Sequence, residues 1–301
     1  MIQQISDLKM IKLLGKGSFG EVYLSKKISD NNKYYAVKKI DSNSNNDKLK
    51  KYLDYEIKIM KMLNHPNIVK LEEEIKYQNS IYIIMEYING GSLLEQVRKY
   101  KNKYQKGFPE EIVQYLMKQI ISALIHIHDN NIIHRDLKLE NIMVHFDSEK
   151  DKEESNMMKA KLKIIDFGFA ILLPSTTSLT NSAVGSFYYM DPKILDEFYN
   201  KSLIDKKSGY GKEADIWSLG CICYELLRGK KPFDALTFEE LVGKIKDKGQ
   251  YKLPKTVSHE FFSFLDKMLK YDGKARLSAK ELINQPFLTK NIKDFTYLFP
   301  K

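Results

Sequence analysis

From about Leu8 to Ile40 apolar residues alternate with polar ones around a glycine-rich turn, and Tyr34-Tyr35-Ala36-Val37-Lys38 concentrates residues that favour extended backbone. This pattern predicts a small antiparallel sheet. Asp41 to Asp47 reads as a polar loop, after which Tyr52, Leu53, Ile57, Met60 and Leu63 recur at helical spacing until Asn64-His65-Pro66-Asn67 stops the run. Two more strands are predicted at Ile68–Leu71 and Ile81–Tyr87, with a turn at Asn89-Gly90-Gly91-Ser92. Beyond Ile88 the period changes to that of helices. One covers Ser92–Lys99, and a long one opens at Pro109 and carries Ile112, Leu116, Ile120, Leu124 and His128. Gly211–Leu227 is a strongly apolar helix holding the only tryptophan, Trp217, and amphipathic helices follow it. The change of period divides the chain into a strand-rich part, residues 1–88, and a helical part, residues 89–301. Within residues 145–161 the mixed-charge run from Asp147 to Ser155 reads as a solvated loop between two short strands, with no chemistry assigned to it.

Composition narrows the class. With 43% hydrophobic and 29% charged residues over 301 positions, disorder, collagen-like repetition and a coiled-coil rod are excluded. The net charge of +10 suits phosphates, anionic lipid or acidic proteins without choosing among them. Cys221 and Cys223 form no Cys-x-x-Cys pair, so neither a disulfide framework nor a zinc knuckle is supported. No stretch stays apolar long enough to cross a bilayer. The expectation is an intracellular, cytoplasmic chain, with the nucleus also open to it.

Gly15-Lys16-Gly17-Ser18-Phe19-Gly20 matches Gly-x-Gly-x-x-Gly, a pattern shared by dinucleotide-binding turns and ordinary glycine-rich hairpins. A dinucleotide fold opens a helix at the third glycine, whereas Glu21-Val22-Tyr23-Leu24 alternates like a strand. The turn is therefore read as a hairpin whose amides can cover phosphates, and Asp41 as a loop residue, not a ribose ligand. His134-Arg135-Asp136-Leu137-Lys138-Leu139-Glu140-Asn141 and Asp166-Phe167-Gly168 are more specific, placing carboxylate, amine and amide groups at fixed spacing beside strands.

Together with Ala36-Val37-Lys38 and Glu56, these motifs resemble the eukaryotic protein kinase domain, serine/threonine type, from about Leu8 to Leu288 and in the family order. The group within that type is left open, calcium/calmodulin-kinase-like or related. The resemblance implies an α+β, two-lobed fold: a small antiparallel sheet with one helix in the N-lobe and a larger, mainly helical C-lobe. It implies transfer of the γ-phosphate of Mg-ATP to serine or threonine of protein substrates, with ATP and Mg²⁺ as cofactors. Such transfer asks the protein to hold the reactants in line and to neutralise spreading negative charge.

By that resemblance Lys38, paired with Glu56, contacts the α- and β-phosphates; Asp166 and Asn141 hold magnesium; Asp136 orients the acceptor hydroxyl as base; and Lys138 reaches the transferred group. The nucleotide is expected against Leu14, Gly15, Gly17 and Gly20, between Val22, Ala36 and Met143. The Glu86 carbonyl and Ile88 amide face the base, and Met85 narrows the pocket behind it. His134 is given a packing role, and Glu140 a tolerance for basic residues near the acceptor.

Arg135 beside Asp136 is the family's receiver for an activation-loop phosphate, for which Ser182 is the first candidate by position and Thr180 the second. An upstream activating kinase is then an expected partner. One departure stands out: the family's Ala-Pro-Glu is Asp191-Pro192-Lys193 here, and in relatives that glutamate pairs with an arginine matching Arg276. Two facing buried cations would cost several kcal/mol, so Lys193 is expected to turn outward, or Glu197 or Asp272 to substitute. Residues 196–208 form a longer, more polar connection than usual, with no role assigned.

Three rivals remain on the page. A nucleotide-binding scaffold without catalysis has Lys193 as its only support. A small-molecule kinase is disfavoured by the Asp136-Leu137-Lys138 loop, and a nucleic-acid binder by the scatter of the basic charge.

Overall fold

The computed structural model describes residues 7–17, 20–30, 33–41, 47–173, 187–199, 211–247 and 251–294, without the side chains of residues 17, 47–52 and 197–199. The N-terminal layer is a five-stranded antiparallel sheet in the order β1-β2-β3-β5-β4. Its strands are β1 (Leu8–Gly17), β2 (Gly20–Lys27), β3 (Lys33–Asp41), β4 (Leu71–Tyr77) and β5 (Ser80–Glu86). Helix α1 (Asp47–Met62) is inserted between β3 and β4. The period-2 rule decides what each strand offers. On β3, Tyr35 and Val37 are buried with Leu8, Ile75 and Ile84 on one face, which turns Ala36 and Lys38 to the other.

The fourth strand begins three residues later than the expected Ile68–Leu71. It runs Leu71–Tyr77 and meets β5 through a two-residue turn in which Gln78 has φ 49°. Three consecutive glutamates hide its alternation, and all three are held by lysines: Glu72 by Lys70 at 2.8 Å, Glu73 by Lys27 at 2.7 Å and Glu74 by Lys61 at 2.7 Å. The apolar Ile68-Val69 stretch instead serves the second layer, for Ile68 bridges Ile164 and the Val69 amide donates to the Ile164 carbonyl at 2.9 Å.

After the sheet, Ser92 and Glu95 form a reciprocal capping box that starts α2 (Leu93–Tyr104), which runs five residues past the expected Lys99. Helix α3 (Glu110–Asp129) carries the long apolar stripe and is followed by β6 (Ile132–Ile133) and β7 (Ile142–His145). The mixed-charge stretch is not wholly loop: Ser148 accepts the Asp151 amide and caps a short helix, α4 (Glu149–Glu153), after which Met157 is buried. Its local cap and Met157 anchor were masked by the charge run. Strands β8 (Lys161–Ile164) and β9 (Ile171–Leu172) then pair with β7 and β6 respectively. Gly90 lies so close to β7 that a Cβ would come within 2.5 Å of the Val144 carbonyl.

The helical layer is completed by α5 (Pro192–Tyr199), α6 (Glu213–Arg228), α7 (Phe238–Lys246), α8 (His259–Met268), α9 (Ala279–Leu282) and α10 (Pro286–Thr289). Helix α6 is buried along nearly all its length, with Trp217 stacked on Phe233 at 5.6 Å, and one apolar core runs from Ile40 in β3 to Leu288 in α10. No helix among the described residues is long and apolar enough to cross a membrane.

Arg276 resolves the departure at Asp191-Pro192-Lys193. Its partner is Asp191, whose carboxylate pairs with the guanidinium in a site where the two side chains are 4% and 0% exposed. The remaining donors go to the carbonyls of Lys270 at 2.7 Å, Glu213 at 2.8 Å and Tyr271 at 3.1 Å, and the guanidinium plane lies 5.0 Å from the Trp217 ring. Asp272 instead accepts the Lys274 amide in a turn, and the side chain of Glu197 lies outside the described residues. Lys193 is exposed, as expected. Removing one member of a buried pair leaves the other charge stranded, so Asp191→Ala should lower unfolding free energy in urea by about 3–5 kcal/mol. Lys193→Ala should change it by less than about 0.5 kcal/mol.

Candidate active site

Between the sheet and the helical layer lies a cleft of about 300 Å³. Leu14, Gly15, Gly20, Val22, Ala36, Lys38, Glu56, Met85, Glu86, Ile88, Met143 and Asp166 all line it. Gly17, also predicted to contact the nucleotide, pairs with Gly20 at the end of the β1–β2 hairpin. Register brings these residues together, Val22 opposite Lys38 and Ala36 opposite Met85. Met60, Val69, Tyr87, Ile165 and Phe169 line it as well and were not singled out from sequence. Met60 was within reach of such reasoning, since it lies one helical turn beyond Glu56.

Lys38 Nζ donates to Glu56 Oε1 at 2.7 Å, the side chains being 13% and 5% exposed. The pair joins the cleft face of β3 to the inner face of α1. The carboxylate of Glu86 is engaged elsewhere, accepting Lys163 Nζ at 2.7 Å and the Lys70 amide at 2.8 Å. That leaves its backbone as its contribution to the cleft.

A second polar cluster is tied to the cleft wall at Ile165. Asp136 Oδ2 accepts from Lys138 Nζ at 2.7 Å and from Asn141 Nδ2 at 2.9 Å, and the same Nδ2 donates to the Asp136 carbonyl at 2.9 Å. The Asn141 amide nitrogen is thereby committed, which leaves Oδ1 as the side-chain atom able to act as a ligand. The two motifs are stitched together by the Ile165 amide, which donates to the Asn141 carbonyl at 2.9 Å. Asp166, the next residue, has φ 63° and accepts the Gly168 amide at 3.2 Å. A non-glycine residue in the left-handed region is costly and persists only where its surroundings enforce it.

Those surroundings are visible beneath the cluster. His134 is fully buried, accepts the Asp136 amide on Nδ1 at 3.3 Å and meets the Ile165 carbonyl with Nε2 at 3.2 Å, so its proton sits on Nε2. Phe167 packs on the His134 ring at 5.1 Å. Asp215 of α6, also fully buried, accepts the amides of His134 and Arg135 at 2.9 Å each and meets His128 Nε2 at 3.0 Å. Burial opposes its ionisation, but the hydrogen bonds from His128 and the His134 amide prevail and hold its carboxyl below the usual range. Arg135, at φ 67°, donates Nε to the Phe169 carbonyl at 2.6 Å. Ser182 and Thr180, the phosphorylation candidates, lie outside the described residues.

Comparison with known proteins meets this geometry from another side. The protein kinase domain model matches residues 8–288. The serine/threonine-protein kinase Nek1 of Mus musculus is 31% identical over 95% of this chain and 22% of its own length, and Nek5 of Homo sapiens 32% identical over 97% and 37%. Myosin light chain kinase A of Dictyostelium discoideum is 33% identical over 92% of this chain and 86% of its own. The chain spans well under half the length of the two Nek relatives, and relatives of different groups match it about equally. The order of the motifs, the cleft they build and the extent of the match carry one conclusion: the chain belongs to the protein kinase domain family.

Proposed function

We propose that this chain is a serine/threonine protein kinase, transferring the γ-phosphoryl group of ATP to hydroxyls of protein substrates. The observation that carries the reading is the linkage of two clusters, Lys38–Glu56 lining the cleft and Asp136–Lys138–Asn141 tied to the cleft residue Ile165 by its hydrogen bond to Asn141. Lys38, oriented by Glu56, is placed to hold the α- and β-phosphates. The Asp136 carboxylate accepts the hydrogen bond of the incoming hydroxyl and orients its lone pair, while Lys138 offsets charge on the transferred group. The relatives named as serine/threonine kinases support the choice of acceptor.

The Asp166 carboxylate and the Oδ1 of Asn141 are both hard oxygen donors, which fits magnesium. Among the described residues no three His, Cys, Asp or Glu side chains converge as a cage, so a cation here would rely on phosphate and water oxygens for its other ligands. Bound there, magnesium would neutralise negative charge on the phosphates. The adenine would lie against Val22, Ala36 and Met143, with the Glu86 carbonyl and Ile88 amide as its polar partners and Met85 behind. Arg135 would receive a phosphate placed on Ser182 or Thr180 by an upstream kinase. Buried free thiols at Cys221 and Cys223 support a reducing, cytoplasmic setting. The rival scaffold rested on Lys193 alone, and Arg276 is held by Asp191 instead.

The test is transfer from labelled Mg-ATP to a degenerate peptide library. Asp136→Asn, which preserves shape, and Lys38→Met should each lower the rate by about a hundredfold or more. Equal transfer by all three chains would end the proposal.

Asp215 yields a second expectation, in stability against pH. A carboxyl whose folded pKa lies below its unfolded value stabilises the fold above the unfolded value, and that contribution is lost as pH falls through the folded one. The stability difference between the wild type and Asp215→Asn should therefore stay constant from neutral pH to about pH 4 and shrink below it. Urea unfolding at stepped pH measures it.

A further inference from the structure

Among the described residues, the hydrogen bonds between helix α1 and the strand beyond Gly168 are made by one hydroxyl. Tyr55 donates its O–H to the Leu172 carbonyl at 3.3 Å and accepts the Leu172 amide at 3.3 Å. A phenolic oxygen has one proton and spare lone pairs, so the two bonds coexist.

Strand geometry explains why both groups of Leu172 are there to be taken. Strand β9 pairs with β6, Ile171 opposite Ile133 and Leu172 opposite Ile132, and the next amide, that of Leu173, donates to the Asn131 carbonyl at 2.8 Å. In an antiparallel strand the amide and carbonyl of one residue point to the same edge and those of the next residue to the opposite edge. The backbone of Leu173 faces β6, so that of Leu172 faces away, toward α1. Among the described residues no further strand lies on that side. The Tyr55 hydroxyl supplies there what a neighbouring strand would, an acceptor for the amide and a donor for the carbonyl.

Tyr55 is the residue before Glu56, and its ring is half-buried against the main core. The same turn of helix therefore carries the carboxylate that pairs with Lys38 and the hydroxyl that pairs with the chain six residues after Asp166. Neither bond is strong: at 3.3 Å each lies beyond the usual range for hydrogen bonds from an O–H or N–H. A weak, two-point contact at this place is easily broken and re-formed, and each side favours the other reciprocally.

We propose that Tyr55 is a positioning residue for phosphoryl transfer: by closing the open edge of β9 it holds α1 in the register that brings Glu56 to Lys38. The consequence for rate rests on the function proposed above; the contact and its effect on Lys38 do not. Tyr55→Phe removes one oxygen and keeps the ring. In the purified full chain, amide hydrogen exchange at Leu172 should speed up about tenfold, with exchange in α6 and the melting temperature unchanged. Pulse labelling with acetic anhydride should modify Lys38 faster in the variant, and kcat on the peptide library should fall several-fold. Unchanged exchange at Leu172 would overturn the proposal. So would faster exchange there with Lys38 labelling unaltered, or with labelling raised and kcat intact. A loss of protection spread over the whole chain with a lowered melting temperature would also overturn it, reducing Tyr55 to a packing residue. If no chain transfers phosphate while Leu172 exchange and Lys38 labelling both rise as expected, the functional reading fails and the coupling stands.

Discussion

A fully buried carboxylate, on a helix buried along nearly all its length, sets the position of the loop that leads into Asp136. Asp215 has no water to solvate it, so its charge is tolerable only while the amides of His134 and Arg135 and the ring of His128 point at it. The demand runs both ways. Two successive amides aimed at one carboxylate fix the backbone that leads into Asp136, and they help hold Arg135 in a left-handed conformation. The loop is thereby referred to α6, which the core grips along nearly its whole length. Hydrogen bonds to a charged group contribute about 1.5–3 kcal/mol each, enough for three of them to outweigh the strain of one such residue, about 1–3 kcal/mol.

The upper half of the cleft is built on a looser principle. Lys38 and Asp136 belong to different layers, and what relates them is the apolar core shared by sheet and helices together with a few polar ties. Glu86 reaching Lys163 is one, Gly90 pressed on Val144 another, and Tyr55 on Leu172 a third. Of these ties the Gly90–Val144 contact is buried, whereas Glu86–Lys163 and Tyr55–Leu172 are partly exposed.

Much of this was legible in the chain. Motifs whose members are close in sequence, such as His134 to Asn141, announce themselves because local spacing is the chemistry, and the period change near Ile88 locates the boundary of the sheet. What escaped has common causes. The strand at Leu71–Tyr77 was hidden because its solvated face is glutamate and its neighbour Val69 is the more apolar residue. The turn of helix at Glu149–Glu153 was hidden by a charge run that looks the same folded or free. Phe169, Val69 and Tyr55 matter through partners far away in sequence, and no single-chain pattern encodes who faces them. The ion pair of Arg276 shows the same limit from the other side: the need for an acid was evident, its place was not.

That pair separates a chemical requirement from a sequence position. Against the family's Ala-Pro-Glu, Asp191-Pro192-Lys193 carries its acid two positions nearer the N-terminus, with the guanidinium still satisfied. What the interior requires is a carboxylate within reach of Arg276, so Lys193 can face solvent while Asp191 meets the demand. A pattern search that insists on the glutamate would overlook a chain whose interior obeys the same rule.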